Sequence, residues 1–331
     1  MSQTRTITVL SSADIRQALP MSAAIEAMKE AFAELSGGRV TMPTRTHIDV
    51  PDHAGTALFM PSYAARFGRI GVKIVNVFGA NRAKDLPAIQ GLVGLFDSET
   101  GTPLALLNGT YLTALRTGAA SGLATDLLAR TDAATVAILG AGVQGRTQLE
   151  AVCAVRPIRR VRVYDVRLEA AETFANEMGT ALAVEVTIAS SAQEAVQGAH
   201  VICAATVSSR PVFADADLAP GTHINAIGSY KPDVQEIPAE TMQRALVVVD
   251  HRASALAETG DLIIPIKQGL LQESDIHAEL GEIVAGQASG RASESQITLF
   301  KSVGVAIQDL AAATRALAQA QAAGLGQIVE I

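Results

Sequence analysis

The amino-acid sequence predicts an α/β protein in which a doubly wound parallel sheet adjoins a second, α+β region. Three observations carry that expectation. At 331 residues the chain is too long for one comfortable hydrophobic core. From residue 135 onward, short β-branched runs alternate with helical periodicities, the pattern of parallel strands joined by right-handed crossovers. Between residues 40 and 107, strand-like runs instead follow one another with only turns between them, which reads as a mostly antiparallel sheet.

The chain opens on a helical pattern. Ile15, Leu19, Ile25, Met28, Ala31 and Phe32 supply its apolar positions, Ser12 is placed to cap it, Pro20 divides it, and Gly37-Gly38 end it. VTMPTRTHIDV, TALFMPS, RIGVKIVNVF, IQGLVGLFD and PLALLN read as strands, with Asp52, Gly55, Gly68, Gly79 and Gly101 in or near their turns. Residues 111–130 return to helical spacing. TVAILG (135–140), VRVYDV (161–166), VEVTIA (184–189), HVICAAT (200–206), HINAIG (223–228) and ALVVVD (245–250) supply the parallel strands. Helices at 143–155, 167–178 and 191–198 separate the first four, with a capping box expected from Ser191 and Glu194. Residues 301–324 form a long Ala-rich helical stretch.

Composition narrows the function classes. Hydrophobic residues make up 49% and charged residues 18%, as in a packed globular protein. A net charge of −7 without a basic stripe argues against a nucleic-acid partner. No stretch reaches the roughly 18 apolar residues of a membrane span, and MSQTRTITVL lacks the apolar core of a signal peptide, so a cytoplasmic location is expected. Cys153 and Cys203 form neither a disulfide framework nor a metal spacing, and Cys203, in an apolar run, reads as a buried inert thiol. The six histidines are scattered and GAASG (118–122) is not a nucleophile elbow, so neither metal catalysis nor a hydrolase triad is indicated.

The sharpest motif is Gly140-Ala141-Gly142-Val143-Gln144-Gly145, which follows one expected strand and opens a helix. In the Rossmann arrangement the first glycine makes the tight turn, the second admits the pyrophosphate, and the third lets helix and strand pack closely. Asp165 closes the next strand, where a carboxylate accepts hydrogen bonds from the adenosine ribose and repels a 2′-phosphate. NAD is therefore expected over NADP, with Arg167 offsetting the preference.

Seven blocks, one of them holding this glycine motif, run in order through nearly the whole chain: MPTRTHI (42–48), GVKIVNVFGAN (71–81), LNGTYLTALRTGAASG (107–122), ILGAGVQGRTQ (138–148), THINAIGS (222–229), IHAELGEIVAG (276–286) and FKSVGVAIQDLAAA (300–313). Together they resemble the ornithine cyclodeaminase/mu-crystallin family. That family includes ornithine cyclodeaminases, archaeal-type alanine dehydrogenase, cyclic-imine reductases and the ketimine reductase mu-crystallin. The resemblance implies a coenzyme domain at 124–307 inserted between the halves, 1–123 and 308–331, of a substrate and dimerisation domain, commonly paired in a homodimer. It also implies a substrate carboxylate held by Arg45, Lys73 and Arg116, with Val303 lining the same pocket. The coenzyme is implied to meet Arg116, Thr117, Gln144, Asp165, Thr206, Ala226, Ile227 and Ser302 as well as the glycine turn. Without the resemblance, Arg45, Lys73 and Arg116 would read as surface charges, and Thr206 and Ser302 as loop hydroxyls bonded to nearby backbone.

Cyclodeaminases carry a catalytic Asp where this chain has Tyr230, in Ile227-Gly228-Ser229-Tyr230-Lys231-Pro232-Asp233. A tyrosine is a poor base at neutral pH. Asp233 lies three residues on and is kept as a candidate catalytic group. The local pattern, and less firmly Lys301, point to the reductase branch. Reduction of a small imino acid, or its reverse, is therefore expected ahead of cyclodeamination, and a non-catalytic binder of mu-crystallin type is the rival of another class. Asn108 reads as part of a tight Asn-Gly turn, and Glu258 and Asp261 read equally as pocket-edge or solvated loop residues.

Overall fold

A computed structural model describes residues 5–331, apart from the side chain of Arg82. The first four residues, on which the expectation for the amino-terminal segment partly falls, lie outside the described residues. In chain order the elements are β1 (Thr6–Leu10), α1 (Ser12–Ala18), α2 (Met21–Ser36), β2 (Val40–Thr41), β3 (Thr46–Val50), β4 (Gly55–Ala64), β5 (Arg69–Phe78), β6 (Ile89–Asp97), β7 (Pro103–Asn108) and α3 (Gly109–Leu128). There follow β8 (Thr135–Leu139), α4 (Val143–Val155), β9 (Arg160–Tyr164), α5 (Leu168–Leu182), β10 (Glu185–Ile188), α6 (Ala192–Val196), β11 (Val201–Ala204), β12 (His223–Ala226), α7 (Ala239–Arg244) and β13 (Leu246–Val249). The chain ends through α8 (Arg252–Glu258), α9 (Gly260–Lys267), β14 (Ile276–Glu279), α10 (Leu280–Val284), β15 (Thr298–Lys301), α11 (Ala306–Ala322) and β16 (Gln327–Glu330). It divides into two compact units, Met1–Arg116 with Val305–Ile331, and Thr117–Gly304. The crossings thus lie at 116/117 and 304/305, where the sequence placed them at 123/124 and 307/308.

In the first unit the sheet runs β16-β1-β7-β6-β5-β4-β2, with β3 also on β4. Every pairing is antiparallel except β1 with β7. The sequence predicts neither β1 nor β16; these four- and five-residue runs gain strand character only by pairing with each other and, for β1, with β7. Ser11, not Ser12, caps α1: its hydroxyl accepts from the Asp14 N–H at 3.2 Å while the Asp14 carboxylate accepts from the Ser11 N–H at 2.9 Å. A cap of this kind contributes about 1 kcal/mol. Asn108 does more than turn the chain, because its side-chain oxygen accepts from the Tyr111 N–H at 2.9 Å and so caps α3.

The Ala-rich helix α11 packs on β4, β5, β6 and α2 within this unit. Ala311, Ala312, Ala313, Ala316 and Ala320 are buried and small enough for close approach to the sheet. Full burial of a neighbour such as Leu310 contributes about 1.5–3 kcal/mol. The two-residue repeat of β5 turns Gly71, Lys73 and Val75 towards α11 and leaves Ile70 and Ile74 exposed on the other face. Lys73 therefore sits on the buried side.

The second unit is an all-parallel sheet in the order β10-β9-β8-β11-β12-β15-β13-β14. Helices cover both faces, so β8, β11, β12 and β15 are buried along their whole length. The chain order reverses between β8 and β11, the switch point at which such sheets bind ligands. The sequence predicts neither β14 nor β15. The helical stretch expected at 301–324 begins too early, because Lys301 ends the strand between β12 and β13 and the helix begins only at Ala306. The Ser191 hydroxyl does accept from the Glu194 N–H at 3.1 Å, but Glu194 accepts from the Ser190 N–H at 2.7 Å, so the box is displaced by one residue. Among the described residues no helix is long and apolar enough to cross a membrane.

Candidate active site

The glycine turn follows β8. Gly140 has φ +98°, and a Cβ there would lie 2.5 Å from the Ala205 carbonyl oxygen, so both conformation and space demand glycine. Gly142 is the N-cap of α4 without a side-chain cap, and a Cβ on it would meet nothing within 4 Å. The first-turn N–H groups of α4 therefore lack an internal side-chain acceptor. Gly145 packs against the Gly140 carbonyl oxygen with no room for a side chain. Val143 is exposed and Gln144 half-buried at the same helix start. Open donors, the positive end of a helix and a turn without side chains fit a dinucleotide pyrophosphate. Asp165 ties the next loop to the turn: it accepts the Ala141 N–H at 2.9 Å and the Arg167 N–H at 3.0 Å. The exposed Arg167 guanidinium lies 3.6 Å from the same carboxylate.

The loops after β11, β12 and β15 carry the other expected coenzyme positions. A Cβ on Gly140 would lie 3.3 Å from the Thr206 methyl group, which places Thr206 against the turn. Its N–H and hydroxyl donate to Glu236 Oε1 at 2.7 and 2.6 Å, and the Gly228 N–H donates to Glu236 Oε2 at 2.9 Å. Burial pushes Glu236 up to about 7 despite the Lys301 charge and the Thr206 bonds. The Ser302 hydroxyl donates to Asp250 Oδ2 at 2.8 Å, beside the Val303 N–H at 2.9 Å and the Gly304 N–H at 2.8 Å. Both hydroxyls thus donate to buried carboxylates, and the Thr206 oxygen also accepts the nearby Ser208 N–H at 3.0 Å. Ala226 is buried at the end of β12 and Ile227 half-buried beyond it. Thr117 is buried in α3, its carbonyl accepting from Gln148 Nε2 at 3.3 Å.

Asp261 is no solvated loop residue. It is fully buried at the start of α9, accepts the Glu236 and Ile237 N–H groups at 2.6 and 3.0 Å, and pairs with buried Lys301 at 2.8 Å. Tyr230 and Asp233 are exposed in the loop after β12. Cys203, fully buried, has its thiol pushed up to about 12 by burial, and Cys153 to about 11. Neither is a nucleophile at neutral pH. Among the described residues no cluster of three or more His, Cys, Asp or Glu is placed to hold a metal ion.

In the first unit, Lys73 on β5 and Arg116 on α3 converge on α11. They are only 2% and 5% exposed, so the default expectation of surface charges fails for both. Asp309 lies 2.6 Å from Lys73 Nζ and accepts from Arg116 Nε at 3.1 Å, while Gln308 Oε1 accepts from Arg116 Nη1 at 2.6 Å. The Gln308 oxygen also accepts the Val305 N–H at 3.1 Å. Burial holds Lys73 down at about 7, helped by the Arg116 charge and opposed by Asp309; half-buried Arg45 lowers it further. Arg45, Lys73 and Arg116 thus share one electrostatic environment.

The sequence singled out none of Asp309, Gln308, Glu236 or Asp250. A signal for Asp309 was present, since Ile307, Leu310 and the surrounding alanines make α11 apolar nearly all round, and a charge within such a helix needs a partner.

A glycine turn opening an uncapped helix at the switch point of a parallel sheet, and a buried cationic cluster on a separate sheet, define a dinucleotide-dependent oxidoreductase. The chain belongs to the ornithine cyclodeaminase/mu-crystallin family, whose model matches residues 5–323, and within it to the reductase-like branch. It is 41% identical over 323 residues to a Δ1-pyrroline-2-carboxylate reductase of Bacillus cereus, covering 97% of this chain and 99% of the relative. The structure of the Thermococcus litoralis Δ1-pyrroline-2-carboxylate reductase in complex with NADH and L-proline superposes with a TM-score of 0.94 at 44% identity, over 97% and 99% of the two chains. An archaeal alanine dehydrogenase dimer with bound NAD gives 0.92 at 34% identity, over 98% and 99%.

Proposed function

We propose that the chain reduces a small cyclic α-imino acid, Δ1-pyrroline-2-carboxylate or a related ketimine, to the amino acid, and catalyses the reverse oxidation. At the level of the family it is an NAD(P)-dependent oxidoreductase of imino and amino acids. The observation that carries the finer statement is the buried pairing of Lys73 and Arg116 with Asp309.

Two bonds from Asp309 and Gln308 fix the plane of the Arg116 guanidinium, which prepares it to grip a carboxylate. Arg45 adds a second cation. Fixing the carboxylate also fixes C2, the adjacent reacting carbon. When bound, the nicotinamide supplies the hydride to C2, or receives it in the reverse direction. The Gly140–Gly145 turn, Val143, Gln144, Thr117, Thr206, Ala226, Ile227 and Ser302 would hold that coenzyme, and Asp165 would favour NAD. Lys73, brought down to about 7, passes a proton from Nζ to the imine nitrogen in reduction and takes one from the amine in oxidation. The C=N bond thereby gains one hydride and one proton. Cyclodeamination asks for a further base, and Tyr230 and Asp233, both exposed, are the groups that would have to supply it.

A homodimer is part of this proposal. The face of the first sheet turned away from α11 exposes Tyr63 beside Ile70 and Ile74 beside Leu92, with Leu106 one strand further, an apolar row suited to a second copy. Its mass in solution tests that.

The test of function is turnover with NADH and NADPH on Δ1-pyrroline-2-carboxylate, Δ1-piperideine-2-carboxylate, and pyruvate with ammonia, beside L-ornithine. Oxidation of NADH on a cyclic imine is the expected result. Conversion of ornithine to proline with no net NADH change would replace this reading with cyclodeamination. Coenzyme binding without turnover on any imine would leave a binder.

A further inference from the structure

We propose that Glu236 is a positioning residue for the coenzyme, one buried carboxylate that fixes the loop after β11 and the loop after β12 to each other beside the glycine turn. Three donors converge on it: the Thr206 N–H and hydroxyl on one oxygen and the Gly228 N–H on the other. The fit is tight, for a Cβ added at Gly228 would collide with both Glu236 oxygens and with the Thr206 carbonyl. Thr206 in turn abuts Gly140, whose φ and packing set the phosphate turn. A change at Glu236 therefore reaches the coenzyme through two loops at the switch point without Glu236 touching it.

The support beneath the carboxylate is also built. The Glu236 N–H donates to Asp261, and Asp261 pairs with Lys301 at the end of β15. Lys301, facing Glu236 from β15, favours its ionised form, and Asp261, facing it from α9, opposes it. Each of the three bonds from the loops needs an acceptor. An ionised carboxylate offers acceptors on both oxygens, whereas a protonated acid or an amide presents hydrogen where one donor now points. With Glu236 raised to about 7, its ionised share falls as the pH drops through neutrality. The proposal requires coenzyme affinity to fall with it.

The experiment is binary binding of NADH, without imino acid, followed by fluorescence from pH 6 to 8.5 on the full chain. Lys73 acts on substrate and plays no part in this binary complex. Glu236→Gln should weaken NADH binding about ten- to hundredfold at pH 8, the loss expected when charge-assisted buried bonds are broken. It should also abolish the weakening of affinity below pH 7 expected of the unmodified protein. Glu236→Asp, which keeps the charge, should restore the pH dependence. Wild-type affinity with the same pH profile in Glu236→Gln overturns the proposal, whatever the turnover assays give. Should Glu236→Gln fail to fold, the affinity of Glu236→Asp decides the matter, because it keeps the charge and draws the carboxylate back from the Thr206 and Gly228 donors. Binding weakened by about threefold or more supports the proposal, and unchanged binding overturns it.

Discussion

Each unit buries a cluster of charges, and the two clusters have opposite balance. In the first, Lys73 and Arg116, with Arg45 nearby, share a single carboxylate, Asp309. In the second, one lysine, Lys301, stands beside two carboxylates, Asp261 and Glu236. The surplus in the second is already answered from within the unit. Backbone N–H groups of Glu236 and Ile237 donate to Asp261, and those of Thr206 and Gly228 to Glu236. Lys73 and Arg116 meet one charged acceptor, Asp309, and Arg116 also meets the neutral Gln308 oxygen. Uncompensated buried charge costs several kcal/mol, so a surplus met by backbone is framework, whereas two buried cations on one carboxylate suit an added ion of negative sign. The comparison separates a scaffold from a binding site made of the same residue types.

The contrast breaks first at Arg116. Arg116→Ala should lower kcat/KM for the imino acid about a thousandfold, some 4 kcal/mol, by raising KM and lowering kcat together. Steady-state kinetics showing a KM effect alone would make Arg116 a passive binding group. In the framework cluster, Lys301→Met should lower the unfolding free energy by about 3 kcal/mol in urea titration, because Asp261 keeps two N–H donors but loses its counter-charge. Removing that cation also raises Glu236 further, so the acid weakening of NADH binding should move to higher pH. A variant of unchanged stability would mean the pair is not structural.

The third prediction sharpens the role of Lys73. Its protonated form is lost above about 7, so reductive kcat should decline as pH rises through that value, and oxidative kcat should decline below it. Lys73→Met should cost about a hundredfold in kcat and erase the limb near pH 7 in both directions. Survival of the limb would assign it to another group. The smallest effect is at Asp165, where Asp165→Ala should shift the NADPH to NADH ratio of kcat/KM by about tenfold towards NADPH. An unchanged ratio would remove its role in coenzyme choice.

What the sequence disclosed follows the range of the forces involved. The turn at Gly140–Gly145 is governed by local sterics, and its residues stand where the spacing predicts, between β8 and α4. Strand order is not local. The insertion of β15 between β12 and β13 depends on a segment that arrives about fifty residues after β13, and nothing in ITLFKS announces its neighbours. The candidate site divides the same way. Lys73, Arg116 and Arg45 emerged only through the family resemblance, because a lone cation on a strand carries no mark of which face it occupies. Their partners stayed hidden because Asp309 reaches Lys73 across more than two hundred residues of chain. Glu236 likewise carries no local mark, since its three donors lie at Thr206 and Gly228.

The first unit is assembled from both ends of the chain, and this sets an order on its birth. Lys73 and Arg116 leave the ribosome well before Asp309 and Gln308, with all of residues 117–304 translated in between. At roughly 5–20 residues per second that interval is on the order of ten to forty seconds. For that time the nascent cations have no carboxylate from α11 and the sheet lacks its covering helix, and the parallel sheet itself is completed only when β15 arrives at the end of the interval. The stretch Val305–Ile331 therefore closes the first unit, and a chain halted before it carries a finished coenzyme fold attached to an open, adhesive half.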